Sequence, residues 1–327
     1  MKSRAFGAAV RRCLIVAAKV LTLRYSRAFA EWKSRRPGPV PVTYSEKLRY
    51  RMAWDTNPLL TTFANKIAVR DYVATVAGSQ FLTHVYAICS RADEVKWTEL
   101  PREYVCKVNH GSGGVIVVTE AADRSVQLPR ATSSLGWARF AIHPDNADPI
   151  RLEALLSYWL GLNYYWQPGS GVVERAYRDV KRGILVEELL PGEAGGPPDD
   201  YKLTVVAGRV RLVERLIRPS FGGAYVAGFF DREGVPLPIR WQHHGVFCKW
   251  SDSMPLGTES LDDLVEFAET LGSGVDAIRV DLYSIRGRTV FGELTNYPTA
   301  GKGAYLPHSF EVELGSDWHP SYGPHAH

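Results

Sequence analysis

Asp281 and Glu293 are the residues whose types and spacing most directly suggest chemistry. They flank a polar turn in residues 277–298, AIRVDLYSIRGRTVFGELTNYP. Ile278, Val280 and Leu282 alternate with Arg279, Asp281 and Tyr283, and the alternation resumes from Thr289 to Leu294, which predicts a β-hairpin. A loop centred on Gly287 pairs Ile285 with Thr289 and sets Asp281 opposite Glu293. A two-residue loop would instead set Asp281 against Gly292 and turn Glu293 to the other face. Facing carboxylates repel unless a positive group lies between them. The spacing therefore predicts an odd loop, a shared face and a bound cation. Hard oxygen ligands on strands suit Mg²⁺, and Asn296 could add a carbonyl oxygen. The alternative is two solvated carboxylates on an open sheet face.

A second set of residues points at phosphate. Residues 104–119, YVCKVNHGSGGVIVVT, form a strand, a tight glycine-rich loop and a second strand in pattern. In His110-Gly111-Ser112-Gly113-Gly114 several backbone N–H groups can converge, the geometry that cradles phosphate oxygens. Lys107 would place an ammonium beside the same oxygens. The loop is no P-loop, because the GK[ST] ending and the following helix are missing, and no Rossmann turn; an ordinary turn is the alternative. In residues 183–193, GILVEELLPGE, a buried strand runs into Glu187, Glu188 and a Pro-Gly turn. Such a strand end suits an inter-lobe hinge whose backbone reads an adenine edge while a carboxylate takes the exocyclic amine, or it is a plain strand end. Lys202, in Asp200-Tyr201-Lys202, opens the strand YKLTVVAG, and Arg215 and Arg218 follow it, either for an acidic acceptor or as surface charges.

The elements that must position these residues are legible in outline. From Tyr44 to about Arg91 the pattern is helical, with a stop at Gly78; Leu60, Phe63, Ile67 and Val73 face a core, and Arg70 lies among them. Asp148 to Tyr165 predicts a helix followed by an aromatic-rich stretch. Residues 260–272 predict an amphipathic helix with Ser260 at the N-cap and Gly272 at the C-cap. The four cysteines are scattered and have no metal spacing, as expected of buried thiols in a reducing compartment. At 327 residues the chain has ample length for a core.

The net charge of +4 hides an asymmetry. Residues 1–36 carry ten Lys/Arg and one acid, and the remainder 29 bases against 34 acids. The longest uncharged apolar run in that arm, Cys13 to Ala18, is too short to span a bilayer. The arm is either a basic amphipathic helix on the inner face of the cytoplasmic membrane or a solvated extension. An acidic body without an aromatic-basic module argues against nucleic acid as a partner. Arg35 to Thr43, RRPGPVPVT, marks a linker. The expected division is a basic arm and linker at 1–43, a helical subdomain at 44–100, a lid lobe at 101–190 and a C-terminal lobe at 191–327.

Six segments in order resemble the ATP-grasp superfamily, and more closely the TupA-like ATP-grasp family named for teichuronopeptide biosynthesis. They are NKIAVRDYV (65–73), KVNHGSGG (107–114), ILVEELL (184–190), DYK (200–202), RVDLY (279–283) and FGELTNYP (291–298), and the match covers roughly residues 44 to 310. The resemblance implies an α+β fold, with a nucleotide held between two α+β lobes under a Gly-rich hairpin lid. It implies that Arg70 and Lys107 hold ATP phosphates beneath His110, Gly111, Ser112, Gly113 and Gly114. It places Glu187, Glu188 and Leu190 at the adenine hinge and turns Lys202 toward the transferred phosphate or substrate carboxylate. Asp281 and Glu293 match the Mg²⁺-binding acids, with Arg279 beside them. The superfamily's usual Glu-x-Asn is here Glu293-Leu294-Thr295-Asn296, so either Thr295 or Asn296 supplies the third ligand.

The implied reaction is ATP- and Mg²⁺-dependent joining of a carboxylate and an amine through an acyl-phosphate, in cell-surface polysaccharide biosynthesis in the cytoplasm. An acidic saccharide or other carboxylate would accept an amine donor. The rivals are a glycosyltransferase, against which the missing Asp-x-Asp counts, a non-catalytic nucleotide-binding scaffold, and a phosphotransferase to a hydroxyl.

Overall fold

The structure, a computed structural model, describes residues 39–131, 135–166, 173–192, 196–221, 224–251 and 261–326. The basic arm, with its expected membrane-surface contact, and Ser260 lie outside the described residues. No helix among the described residues is long and apolar enough to cross a membrane.

Three helices open the described chain: α1 (Tyr44–Trp54), α2 (Pro58–Ala64) and α3 (Ala68–Val76). Each of the first two starts where a side chain satisfies free helix N–H groups. Thr43 Oγ1 accepts from Glu46 N while Glu46 Oε2 accepts from Thr43 N, and Asn57 Oδ1 accepts from Leu59 N. The chain breaks at Gly78 in a left-handed conformation (φ 114°). Residues 85–89, expected within the helical stretch, then form a strand, because Val85, Tyr86 and Ile88 are β-formers that alternate between partly buried and exposed.

That strand, β1 (Val85–Cys89), is the edge of a five-stranded sheet ordered β1-β5-β2-β3-β4, with β2 (Tyr104–Val108), β3 (Val115–Val118), β4 (Arg139–Ile142) and β5 (Ile184–Glu187). Helix α4 (Pro149–Gly161) covers one face, where Cys106, Val108, Ile116, Val186, Leu152, Leu156 and Trp159 make a core. The opposite face carries Lys107 and Glu187, which pair with each other.

The second five-stranded sheet follows, from β6 (Asp199–Val206), β7 (Arg209–Ile217) and β8 (Val226–Phe230). After β9 (Arg240–His243) and β10 (Val246–Phe247), helix α5 (Leu261–Gly272) leads into β11 (Ala277–Ile285) and β12 (Arg288–Thr295), giving the order β12-β11-β6-β7-β8. Gly272 is the last residue of α5 and not a left-handed cap; it is small because a Cβ there would lie 2.8 Å from Val205 Cγ1. One sheet face packs on α5, α2 and α3 through Leu203, Val280, Leu294, Leu271, Phe63 and Val73. The other is covered at one end by α1, by β13 (Gly303–Leu306), which pairs with β9, and by α6 (His308–Ser316), through Tyr44, Leu48, Leu212, Phe229, Tyr305 and Trp318. Residues 44–100, expected as a helical subdomain, are thus shared among the cores of both lobes.

Candidate active site

Strand register assembles the floor of the site. Glu214 on β7 pairs with Lys202 on β6, Lys202 with Asp281 on β11, and Asp281 with Glu293 on β12. Thr204, Arg279 and Thr295 form the next row. Their strand neighbours Leu203, Val280 and Leu294 point into the core, so alternation turns the polar residues to the other face.

Asp281 does face Glu293, but by a different route from the odd loop expected. The turn has two residues, Arg286 and Gly287, both left-handed (φ 52° and 74°), and Ile285 pairs with Arg288. The register then shifts between Asp281 and Leu282, leaving Gly292 as the extra residue of a bulge. A Cβ on Gly292 would lie 2.9 Å from Asp281 O, so only glycine fits.

Cations crowd this row. Arg279 Nε and Nη2 donate to Asp281 Oδ1 and Oδ2 (2.6 and 2.8 Å), and Lys202 Nζ donates to Asp281 Oδ2 (2.6 Å) and Asp200 Oδ1 (3.0 Å). Burial alone would raise the Asp281 pKa, but Arg279 and Lys202 hold it below the usual carboxylate range. Glu293 is different: Lys66 Nζ lies 3.4 Å from Oε1, and Oε2 has no protein partner among the described residues. Two facing carboxylates of hard oxygen suit Mg²⁺, which characteristically takes one or two carboxylates and completes its shell with phosphate oxygens and water. Among the described residues no group of three His, Cys, Asp or Glu converges. Asn296 does not join the pair. Its Nδ2 donates to Leu60 O (2.7 Å) and its buried Oδ1 has no partner among the described residues. Thr295, whose Oγ1 accepts from Arg279, is the residue beside Glu293 on the polar face.

The glycine-rich hairpin between β2 and β3 faces this floor. Gly111 and Gly114 are left-handed (φ 112° and 68°). Gly111 is drawn to the turn after α2 by the antiparallel bridge between His110 and Asn65, and the N–H groups of Ser112 and Gly113 donate to no protein acceptor among the described residues. They are free donors, as a phosphate cradle requires. The carbonyls are engaged: Lys66 Nζ donates to Gly111 O (2.6 Å) and Arg139 to Ser112 O (2.9 Å). Lys66 therefore touches both the hairpin and Glu293, and burial depresses its pKa. Sequence reasoning passed over it for Arg70, four residues on. Its signal was its place beside Asn65, whose Oδ1 accepts from Ile67 N and from Asn109 Nδ2 and so ties this turn to β2. Lys66→Met is expected to weaken binding of a non-hydrolysable ATP analogue by about tenfold in calorimetric titration; unchanged affinity would contradict a role at phosphate.

Glu187 and Glu188 occupy positions other than those expected of adenine-reading carboxylates. Glu187 is buried and forms ion pairs with Lys107 and with Arg70 (3.4 Å), and accepts from Thr83 Oγ1 (2.8 Å). Burial would raise its pKa, but Lys107, Thr83 and Arg70 hold it low. Glu188 is tied to His84, accepting from its N–H (2.7 Å) and donating its own N–H to its carbonyl. Past Glu188 at this strand end, the N–H groups of Leu189 and Leu190 have no protein partners among the described residues.

His110 is not aimed at phosphate either. It is 3% exposed, its Nε2 lies 3.1 Å from Leu162 O, and its ring meets Trp137 edge-on at 5.3 Å. It anchors the hairpin from behind, while Tyr164 donates to Ser112 Oγ (2.8 Å). Burial pushes its pKa down to about 4 from an ordinary 6.5. Between those values the unfolded chain takes up a proton that the folded chain refuses, so stability is full above pH 6.5 and falls as pH drops toward 4. Urea titrations should show that slope, up to about 1.4 kcal/mol per pH unit, and His110→Phe should flatten it.

Arg215 is buried and paired with Asp199, and Arg218 with Asp200 (3.0 Å). Both extend the charged floor. A family model described as TupA-like ATPgrasp matches residues 46–319.

The chain belongs to the TupA-like ATP-grasp family. Its α+β fold is the ATP-grasp fold, two α+β lobes with the Gly-rich hairpin between them. Among solved structures, this TupA-like chain is similar to D-alanine–D-alanine ligase from Bacillus anthracis, at 12% identity and TM-score 0.38 over 73% of this chain and 59% of that one. It is similar to the ATP-grasp ligase PsnB complexed with minimal precursor, at 13% and 0.34 over 73% and 53%. The third is N5-carboxyaminoimidazole ribonucleotide synthetase from Thermus thermophilus, at 9% and 0.39 over 79% and 52%. The TupA-like chain therefore spans between 52% and 59% of the length of these three. No curated protein matches it.

Proposed function

We propose that this TupA-like protein is an ATP- and Mg²⁺-dependent ligase that joins a carboxylate to an amine through an acyl-phosphate, in the synthesis of a cell-surface polysaccharide or teichuronopeptide-like polymer. The observation that carries the ligase reading is the meeting of two facing carboxylates, Asp281 and Glu293, with Lys66 and the free N–H groups of the glycine hairpin. The polymer context rests on the family resemblance alone.

The chemistry follows from charge. A carboxylate attacking the γ-phosphate meets another anion, and the barrier falls only if positive charge surrounds both. Lys66 sits on the hairpin side and Lys202 and Arg279 on the floor. Lys107 on the lid sheet and Arg70 on α3, both held by Glu187, face the nucleotide. Mg²⁺ held by Asp281 and Glu293 would supply Lewis-acid withdrawal of charge from the phosphate oxygens. Arg279 and Lys202 orient the substrate carboxylate, Leu189 and Leu190 offer N–H groups to the adenine edge, and the hairpin excludes water. A substrate oxygen bonds to the γ-phosphorus as the bridging P–O bond to ADP breaks. The amine, in its neutral form, then bonds through nitrogen to the acyl carbon as the C–O bond to phosphate breaks; inorganic phosphate leaves and the nitrogen gives up its extra proton to solvent. No enzymic nucleophile is required.

The test measures ADP and phosphate release with glucuronate, galacturonate and glutamate as carboxylates against alanine, glutamate and glucosamine as amines. Equal release of ADP and phosphate that needs both partners is expected. ADP with a phosphorylated hydroxyl product, or UDP released from a UDP-sugar without ATP use, would overturn the reading.

A further inference from the structure

The charged row continues beyond Lys202. Glu214 stands in register with Lys202 just as Lys202 stands with Asp281, at the end of the row farthest from Glu293. Here the covering strand β13 brings in Tyr305, whose hydroxyl donates to Glu214 Oε1. The nearby cations are engaged elsewhere. Lys202 is shared by Asp200 and Asp281, and Arg279 holds Asp281 and Thr295. Among the described residues Glu214 forms no ion pair, and its Oε2 has no protein partner. The side chain is nevertheless only partly exposed. Arg279 and Lys202 attract it only from beyond ion-pair distance and do not offset its burial, and a cationic ligand in the cleft would.

The order of charge along the row matches what amide formation needs. Asp281 and Glu293 lie at the phosphate end, Lys202 and Arg279 lie where an acyl group would be held, and a carboxylate lies beyond them. The amine must add to the face of the acyl carbonyl, out of the plane that holds the leaving phosphate, so it needs a place of its own beside the acyl group. An amine arriving there at neutral pH is an ammonium ion. Resting on the ligase reading, we propose that Glu214, oriented by Tyr305, is the recognition group for the amine substrate, so that this substrate carries a primary ammonium group and is received at the Glu214 end of the row.

The test has two arms. Full-length protein labelled with ¹³C at the glutamate carboxyl carbons is titrated with propylammonium chloride at about pH 7.5, with sodium chloride at equal ionic strength as control. The Glu214 resonance is assigned by its loss in Glu214→Gln. A saturable shift of that resonance with propylammonium and none with sodium is expected; an identical response to both salts overturns the proposal. This readout does not need turnover, so a shifting Glu214 in a protein without ligase activity would sink the functional reading while keeping a cation subsite. In the second arm, with a carboxylate–amine pair that turns over, Glu214→Gln raises KM for the amine at least about tenfold and leaves KM for ATP and for the carboxylate within about twofold. Glu214→Asp recovers part of the loss. Equal changes in all three KM values would show a structural role and overturn the proposal.

Discussion

Glu293→Gln lowers ATP-dependent turnover by about a thousandfold and leaves the unfolding free energy within about 1 kcal/mol of wild type. The two halves of that expectation have different causes. In activity, a neutral amide replaces one of the two carboxylates that face each other at the phosphate end of the floor. In stability, little is lost, because Glu293 has one long contact with Lys66 and an unpartnered oxygen. Asp281→Asn is a less clean probe. It strips Arg279 of its counter-charge and leaves Lys202 only Asp200, and leaving a buried cation unmatched costs about 3 kcal/mol or more. Turnover and urea unfolding measured on both variants separate catalysis from packing. Retention of more than about a tenth of wild-type turnover in Glu293→Gln would remove Glu293 from the metal assignment.

Arg51→Ala destabilises the protein by about 3–5 kcal/mol, the cost of breaking a buried ion pair from one side. Arg51 is 1% exposed. It pairs with Asp55 (3.2 Å) and Asp276, donates to Ala277 O, and stacks on Trp318 with 5.1 Å to the ring centroid. Trp318 Nε1 in turn donates to Asp276 Oδ2 (2.6 Å). One guanidinium thus joins α1, the residues after α6 and the start of β11. Without it buried Asp55 and partly buried Asp276 lose their cation. Urea denaturation of the variant checks this, and a loss under about 1 kcal/mol would show that Asp55 and Asp276 find water or another donor. Because Arg279 and Asp281 follow on the same strand, the variant should also weaken nucleotide binding.

How much of this was legible in the sequence differs from element to element. The β11–β12 hairpin and the β2–β3 glycine loop were readable because strict alternation and clustered glycines are local signals. The bulge was not. Gly292 breaks the alternation by one residue, and an odd loop and a two-residue turn with a bulge give the same partner for Asp281. The ion pairs of Glu187 were hidden because Arg70, Thr83 and Lys107 are distant in the chain and meet only through the order of sheet strands and the packing of α3. His110 sits in a phosphate-loop pattern, but tertiary packing under Trp137 decided its direction. Thr295 and Asn296 are adjacent, and the hydrogen bonds to Arg279 and Leu60 distinguish them. Glu214 had no local signal at all, since its meaning comes from four strands laid side by side.

The most direct test of the central claim is the Mg²⁺ dependence of binding of a non-hydrolysable ATP analogue, followed by calorimetry in wild type and Glu293→Gln. If Asp281 and Glu293 converge with Lys66 and the glycine hairpin on a metal-bound triphosphate, wild type binds at least about a hundredfold more tightly with Mg²⁺ than with a chelator, a difference of about 2.7 kcal/mol, and the variant loses most of that gain. Equal affinity with and without Mg²⁺ in wild type, or the full Mg²⁺ effect retained in Glu293→Gln, would contradict it.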